Sequence, residues 1–173
     1  MTAESPLAHR AEDLAAIGGV EIPFLTQVAL RVGGEHADDL HLPTAPNTVL
    51  AAGDRFTLWL GPDEWLVTSD AQPASAIVAA LEATLAGRHH AVIDLSANRA
   101  VVDLTGDEAL DLLATGCSLD LHPKAWRTGM CAQTLFARAP VLLEQRPHAT
   151  RVFVRPSFSD YCIDRLLAAA QGP

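Results

Sequence analysis

Apolar and polar positions along the chain follow two different rhythms, and each change of rhythm marks an element. After a mixed opening, Leu14-Ala15-Ala16-Ile17 is a short apolar patch closed by Gly18-Gly19, and Pro23 prevents its continuation. Val28-Ala29-Leu30-Arg31-Val32 reads as a strand. A turn-rich stretch follows from Gly33-Gly34 to Pro46, holding His36, His41 and Pro43. Arg55-Phe56-Thr57-Leu58-Trp59-Leu60 and Trp65-Leu66-Val67-Thr68-Ser69 then concentrate aromatic and β-branched side chains. The turn Gly61-Pro62-Asp63-Glu64 between them predicts a hairpin. From Pro73 to Arg88 the period becomes that of a helix, with Ile77, Ala80, Leu81, Thr84 and Leu85 on one face and Gly87 placed to stop it.

Ala91-Val92-Ile93-Asp94-Leu95 and Arg99-Ala100-Val101-Val102-Asp103-Leu104 predict a second hairpin, turning at Ser96-Ala97-Asn98. Thr105-Gly106-Asp107-Glu108 has the form of a capping box, the Thr105 hydroxyl reaching the amide of Glu108 and the carboxylate returning. The helix it opens carries Leu110, Leu113 and Ala114 and ends at Gly116. Beyond His122-Pro123, strands are expected at Cys131 to Ala137, Val141 to Glu144 and Arg151 to Arg155. Ser157 and Asp160 repeat the capping pattern before a last helix presenting Phe158, Tyr161, Cys162, Leu166 and Ala169. Helices thus alternate with antiparallel pairs rather than with single parallel strands. That succession predicts an α+β fold of ferredoxin-like split β-α-β units with antiparallel sheets.

Composition narrows the function. At 173 residues and 49% apolar, the chain suits one domain with a sizeable core. Its charged fraction of 19% is low, which leaves little to cover a surface and hints at a subunit of something larger. A net charge of −9 disfavours nucleic acid. No apolar run approaches the ~18 residues of a membrane span, and Met1-Thr2-Ala3-Glu4-Ser5-Pro6 shows no secretory pattern. Three cysteines, an odd number, fit a reducing cytoplasm better than a disulfide framework.

Candidate chemistry is sparse. Cys117, His122, Cys131 and Cys162 are ligand types for zinc, but no CxxC or HxxxH pair anchors them. His89-His90 follows a helix end, where an imidazolium meets the negative pole of the helix dipole. Asp94 and Asp103 would lie on strands of one hairpin. A three-residue turn puts them on opposite faces, and a four-residue turn puts them on one face but diagonal. Neither GxGxxG nor GxxxxGK[ST] occurs, there is no GxSxG elbow, and Arg99, Arg127, Arg151 and Arg155 read as separate surface or interface arginines. Trp59 and Trp65 flank one turn and are placed to pair across it, as core packing or as an anchor for a partner.

Six stretches, in order, carry a family likeness. They are Ser5-Pro6-Leu7; Gly61-Pro62-Asp63-Glu64-Trp65-Leu66; Asp94-Leu95-Ser96-Ala97-Asn98-Arg99; Gly116-Cys117-Ser118-Leu119-Asp120-Leu121-His122-Pro123; Cys131-Ala132-Gln133-Thr134; and Arg155-Pro156-Ser157-Phe158-Ser159-Asp160-Tyr161. With them the chain resembles the gamma subunit of heterotetrameric sarcosine oxidase over nearly its whole length. The resemblance implies a single gamma-type domain over 1–173, of two ferredoxin-like halves dividing near residue 97. It implies the folate-binding fold of the glycine-cleavage T-protein, an aminomethyltransferase. It also implies a cytoplasmic complex that oxidises sarcosine to glycine, hydrogen peroxide and either formaldehyde or methylenetetrahydrofolate.

The partners so implied are the alpha, beta and delta subunits, with FAD, FMN, NAD and zinc held by them and none by this chain. No catalytic, cofactor or metal residue is carried over. Asp94 and Asp103 are available as a pterin-binding carboxylate, but the resemblance assigns that role to no particular position. Trp59, Trp65 and Trp126 are candidate interface residues by residue type alone. The alternative is a stand-alone folate (tetrahydrofolate) binding domain, which would show an acidic residue at the bottom of a pocket flanked by aromatic or arginine side chains. An independent enzyme finds no nucleophile, base or metal set.

Overall fold

Two antiparallel sheets carry this computed structural model, which describes residues 4–172. In chain order the elements are α1 (Ala11–Ala16), β1 (Gly19–Glu21), β2 (Thr26–Val32), β3 (Val49–Ala52), β4 (Arg55–Gly61), β5 (Glu64–Ser69) and α2 (Ala74–Thr84). They continue with β6 (His90–Asp94), β7 (Ala100–Leu104), α3 (Ala109–Ala114), β8 (Cys131–Phe136), β9 (Ala139–Gln145), β10 (Thr150–Val154) and α4 (Pro156–Ala170). The chain divides into two compact units. Leu25–Ala97 is contiguous, while the chain up to Phe24 joins the chain from Asn98 onward to make the other.

Within Leu25–Ala97 the strand order is β3-β4-β5-β2-β6. The β4–β5 hairpin forms where the aromatic and β-branched runs predict it, with Trp59 directly opposite Trp65. Helix α2 lays Ala74, Ile77, Val78 and Leu81 against Val28, Val67 and Val92, and Leu85 closes the adjoining cluster. The expected face is turned slightly: Ala80 and Thr84 are exposed, while Ala74 and Val78 point inward. Both faces share Ile77, Leu81 and Leu85, so the contest is between flanks, and the larger apolar volume of Val78 decides it. The helix also stops at Thr84 rather than Arg88, because Gly87 takes a left-handed φ of 81° and turns the chain.

In the other unit the order is β1-β7-β10-β9-β8. Residues of α1, α3 and α4 cover one face, with Leu14, Leu113, Cys162, Ile163 and Leu166 packed on Leu104, Leu143, Val152 and Phe136. Arg10, just before α1, pairs with Asp13 on α1 and with Asp160 and Asp164 on α4, which ties the two helices together. The hydrogen bond to Asp164 is the largest influence raising the Arg10 pKa, with Asp13 and Asp160 adding to it against burial. The same contacts have a counterpart on Asp160. Burial opposes its charge, but hydrogen bonds from His9 and Arg10 outweigh that and hold its carboxyl below the usual range.

Both sheets follow one plan, which is the ferredoxin-like order. Central strands β2 and β5 are flanked by β6 and the β3–β4 hairpin; central strands β7 and β10 are flanked by β1 and the β8–β9 hairpin. A helix follows the second central strand in each, α2 after β5 and α4 after β10. In the first case the next strand, β6, completes the sheet. In the second, the flanking strand β1 comes from the start of the chain.

Three expectations are corrected here. The segments 91–95 and 99–104 do not form a hairpin: β6 pairs with β2, and β7 pairs with β1 and β10. The turn between them does not close because its residues continue onto β2. The Leu95 amide donates to the Gln27 carbonyl at 2.7 Å and the Gln27 amide to Ser96 Oγ at 3.1 Å.

The Thr105 capping box is also absent. The hydroxyl of Thr105 donates to the Gly18 carbonyl at 2.8 Å, and α3 begins later, at Ala109. Gly18, at φ 66°, admits this contact because a Cβ there would stand 2.6 Å from the Thr105 carbonyl oxygen. Nor does Ser157 cap α4. Pro156 takes the first helical turn with Arg155 as the N-cap, and Asp160 faces His9 and Arg10.

Candidate interaction surface

The three tryptophans nominated by residue type prove unequal. Trp65 is 1% exposed, surrounded by Leu30, Val32, Ala37, Leu42 and Leu85, and its Nε1–H donates to the Pro43 carbonyl at 2.9 Å. Trp126 is 5% exposed, in the core of the other unit. Neither ring has surface left for a partner, which removes both as anchors; the apolar body of an indole is claimed first by the core that folds around it. Trp59 is half-buried against the same cluster as Trp65 and keeps an outward edge.

The metal-type residues are dispersed. Cys131 and Cys162 belong to the core, and burial pushes the Cys162 thiol up to about 12. Cys117 Sγ lies 3.8 Å from Thr134 Oγ1, and His122 Nδ1 accepts the Lys124 amide at 3.2 Å. Among the described residues, no three His, Cys, Asp or Glu side chains come close enough to hold a metal ion.

His90 finds a carboxylate instead of a helix end. Its Nε2 is 3.0 Å from Glu82 Oε2 on α2, and its Nδ1 is 2.8 Å from the Arg88 carbonyl. The hydrogen bond to Glu82, then the one to Arg88, raises the imidazole above its ordinary value. The stability this confers is fully present below the unfolded pKa of about 6.5 and is lost as pH rises through the raised folded value. H90Q should therefore be less stable than wild type at acidic pH and equal to it at alkaline pH. Urea midpoints measured across that range check this.

Asp94 and Asp103 do not share a hairpin; they stand on different sheets. Asp94 accepts the Ser96 hydroxyl at 2.6 Å and the Ser96 amide at 2.9 Å, in that order of influence, and these hold its carboxyl below the usual range. Asp103 faces Arg151 directly across the β7–β10 ladder in a bidentate pair, Nε to Oδ1 at 2.7 Å and Nη2 to Oδ2 at 2.9 Å. Arg151 is 3% exposed, so it is neither a surface nor an interface arginine. On its other flank Arg151 registers with buried Glu144, whose Oε1 also lies 3.4 Å from Arg146 Nε. This row of buried charge crosses the sheet and holds strands together.

What remains for recognition is on the outside. Open depressions flank α3, one of about 450 Å³ lined by Leu104, Leu110, Pro123 and His148, another of about 490 Å³ lined by Leu110, Cys117, Leu119 and His122. No aromatic or arginine side chain lines either, and the carboxylate they share, Asp107, is exposed rather than set at a floor. Large apolar side chains that stand out in solvent are Val20, Phe24, Leu50, Ile93 and Leu135. Phe24 is the most exposed at 63% and takes a left-handed φ of 56°, a conformation that costs a bulky side chain about 1–2 kcal/mol.

The fold first gives a class: α+β proteins of the aminomethyltransferase architecture. The glycine cleavage system aminomethyltransferase T from Bartonella henselae superposes with a TM-score of 0.67 at 14% identity, over 93% of this chain and 49% of that one. The particular member follows from closer likenesses. Residues 26–171 match the sarcosine oxidase, gamma subunit family. The sarcosine oxidase subunit gamma of an Arthrobacter species is 36% identical, over 95% of this chain and 88% of that one. That of Corynebacterium sp. strain U-96 is 35% identical with the same coverage.

A chain of the heterotetrameric sarcosine oxidase from Corynebacterium sp. U-96, solved in complex with pyrrole 2-carboxylate, superposes with a TM-score of 0.88 at 32% identity. That match covers 98% of this chain and 95% of that one. The chain belongs to the sarcosine oxidase gamma subunit family.

Proposed function

We propose that this chain is the gamma subunit of a heterotetrameric sarcosine oxidase and that its task is assembly. The observation that carries the reading is the end-to-end correspondence with a chain of such a complex. The ionisable groups that sequence reasoning nominated support it. Asp103 and Arg151 hold a sheet, His90 holds α2 to β6, and Cys131 and Cys162 fill a core. The outward features are apolar side chains such as Phe24 and Leu135, on a chain with few charges to cover its surface.

On this reading the partners are the alpha, beta and delta subunits, FAD, FMN and NAD belong to the larger two, and zinc belongs to delta. The complex takes sarcosine, dioxygen and water to glycine, formaldehyde and hydrogen peroxide, or passes the one-carbon unit to tetrahydrofolate. Three unbridged cysteines support a reducing cytoplasm as its compartment. Among the described residues no helix is long and apolar enough to cross a membrane. A stand-alone folate-binding domain is disfavoured by the depressions beside α3, which lack an acidic floor between aromatic or arginine walls.

Co-expression of the tagged chain with the other subunits from its own source tests the assignment. Yellow, sarcosine-oxidising material captured through the tag is the expected result. A colourless chain eluting alone, with the partners soluble, overturns it.

A further inference from the structure

The tip of the β8–β9 hairpin and the adjoining face of α4 carry cations that the fold leaves unused. Arg138 sits in the two-residue turn, and Tyr161 and Arg165 lie one helical turn apart on α4. All three line the same open depression, of about 510 Å³. Among the described residues, neither guanidinium has a hydrogen bond or an ion pair, and the Tyr161 hydroxyl makes none either.

This is not for want of acids. The chain has 21 acidic residues to 12 lysines and arginines, and several of its other arginines find them: Arg10 pairs with three aspartates, Arg31 with Glu64, Arg88 with Asp39 and Arg151 with Asp103. Even the carboxylates on the same helix, Asp160 and Asp164, turn to Arg10 instead.

We propose that this hairpin tip and the α4 face beside it form the docking site for an acidic segment of a partner subunit. Arg138 and Arg165 take its carboxylates, and the Tyr161 ring supplies apolar contact beside them. The proposal rests on the assembly reading and adds which surface docks and what it meets. Guanidinium forks match carboxylates in two-point geometry, and arginine beside tyrosine is the pairing enriched at binding hot spots. Both arginines are exposed, so a single small anion would stay in exchange with water, whereas several carboxylates fixed on one protein scaffold are held together. The overall charge of −9 turns away nucleic acid.

The experiment uses the co-expressed complex and measures flavin absorbance per captured tagged chain. Four forms are compared: wild type, R138E/R165E, the milder R138Q/R165Q, and R127E as a control at another exposed, unpaired arginine. The double reversal should lower capture of the partners by about tenfold or more while the thermal midpoint of the isolated chain stays put. R138Q/R165Q should fall between, and R127E should match wild type. Wild-type capture should also weaken as NaCl rises from about 50 to about 300 mM, more steeply than that of R138Q/R165Q.

Reversal variants captured as well as wild type, or R127E losing as much as they do, overturn the docking site and leave the assembly reading standing. A wild type that captures no flavin-bearing partner overturns the assembly reading and this inference with it. If R138E/R165E fails to fold, the comparison of R138Q/R165Q with wild type decides.

Discussion

Replacing Arg151 by methionine is expected to cost about 3–5 kcal/mol of stability, the usual penalty for leaving buried charge without its partner. The geometry accounts for the size. Asp103 loses both hydrogen bonds of a bidentate pair, and Glu144, registered on the other side of Arg151, loses the cation that separates it from Asp103. For a chain of this length the midpoint of thermal unfolding should drop by roughly 6–20 °C. The double variant R151M/D103L should recover part of the loss, because an apolar pair replaces Asp103 and its partner, while buried Glu144 keeps Arg146 but still loses the Arg151 cation. Urea unfolding of the single and double variants checks both statements. A loss under about 1 kcal/mol for R151M would mean that water reaches the pair and that the row does not hold the sheet.

The second large effect is at Trp65. W65A empties the centre of the Leu25–Ala97 core and should cost about 3–5 kcal/mol, while W65F, which keeps most of the ring but strands the Pro43 carbonyl, should cost about 1–3 kcal/mol. Both losses should appear in the isolated chain. That separates a core residue from a docking anchor, since truncating an anchor would leave the free chain as stable as before and weaken only the capture of partners. A W65A chain that unfolds at the wild-type urea concentration would return Trp65 to the surface.

The sequence was most readable where a single turn decides the outcome. Gly61-Pro62-Asp63-Glu64 sits between two runs of strand-forming residues, and nothing distant competes for them, so the β4–β5 hairpin and the Trp59–Trp65 pairing follow. The long helices α2 and α4 are legible for a similar reason. Partner choice between strands is not. β6 and β7 alternate in a way that suits either neighbour, and the choice is made by β2 and β10, far off in sequence. β1 and β3 are too short, at three and four residues, to stand out at all.

The capping boxes failed for a physical cause of the same kind. A hydroxyl takes the acceptor the fold delivers, and the Gly18 carbonyl reached Thr105 first. Arg151 and Glu144 look like outward positions of alternating strands, but every residue of β10 is buried, so the alternation does not report exposure there. Tryptophan as a type says nothing about which side of a sheet it faces, which is why two of the three nominated rings turned out to be core. The family likeness itself rests on turns and helix starts, including Gly61–Glu64, the segment 94–99 and the opening of α4, where local geometry restricts residue choice. Arg138 and Arg165 have no such motif, and only the packing of α4 beside the β8–β9 turn makes them neighbours.

The borrowed strand β1 has a consequence for how the protein is made. A ribosome releases Gly19–Glu21 long before β7, the strand on which Val20 must find Asp103, so β1 waits without a template while about eighty further residues emerge. Leu25–Ala97 is continuous and its contacts are all within reach, so it is free to close during that wait. The sheet containing β1 closes only when β10 and α4 have left the exit tunnel, almost at the end of synthesis. Nascent chains stalled before α4 should therefore carry one finished unit and one exposed, unpaired sheet.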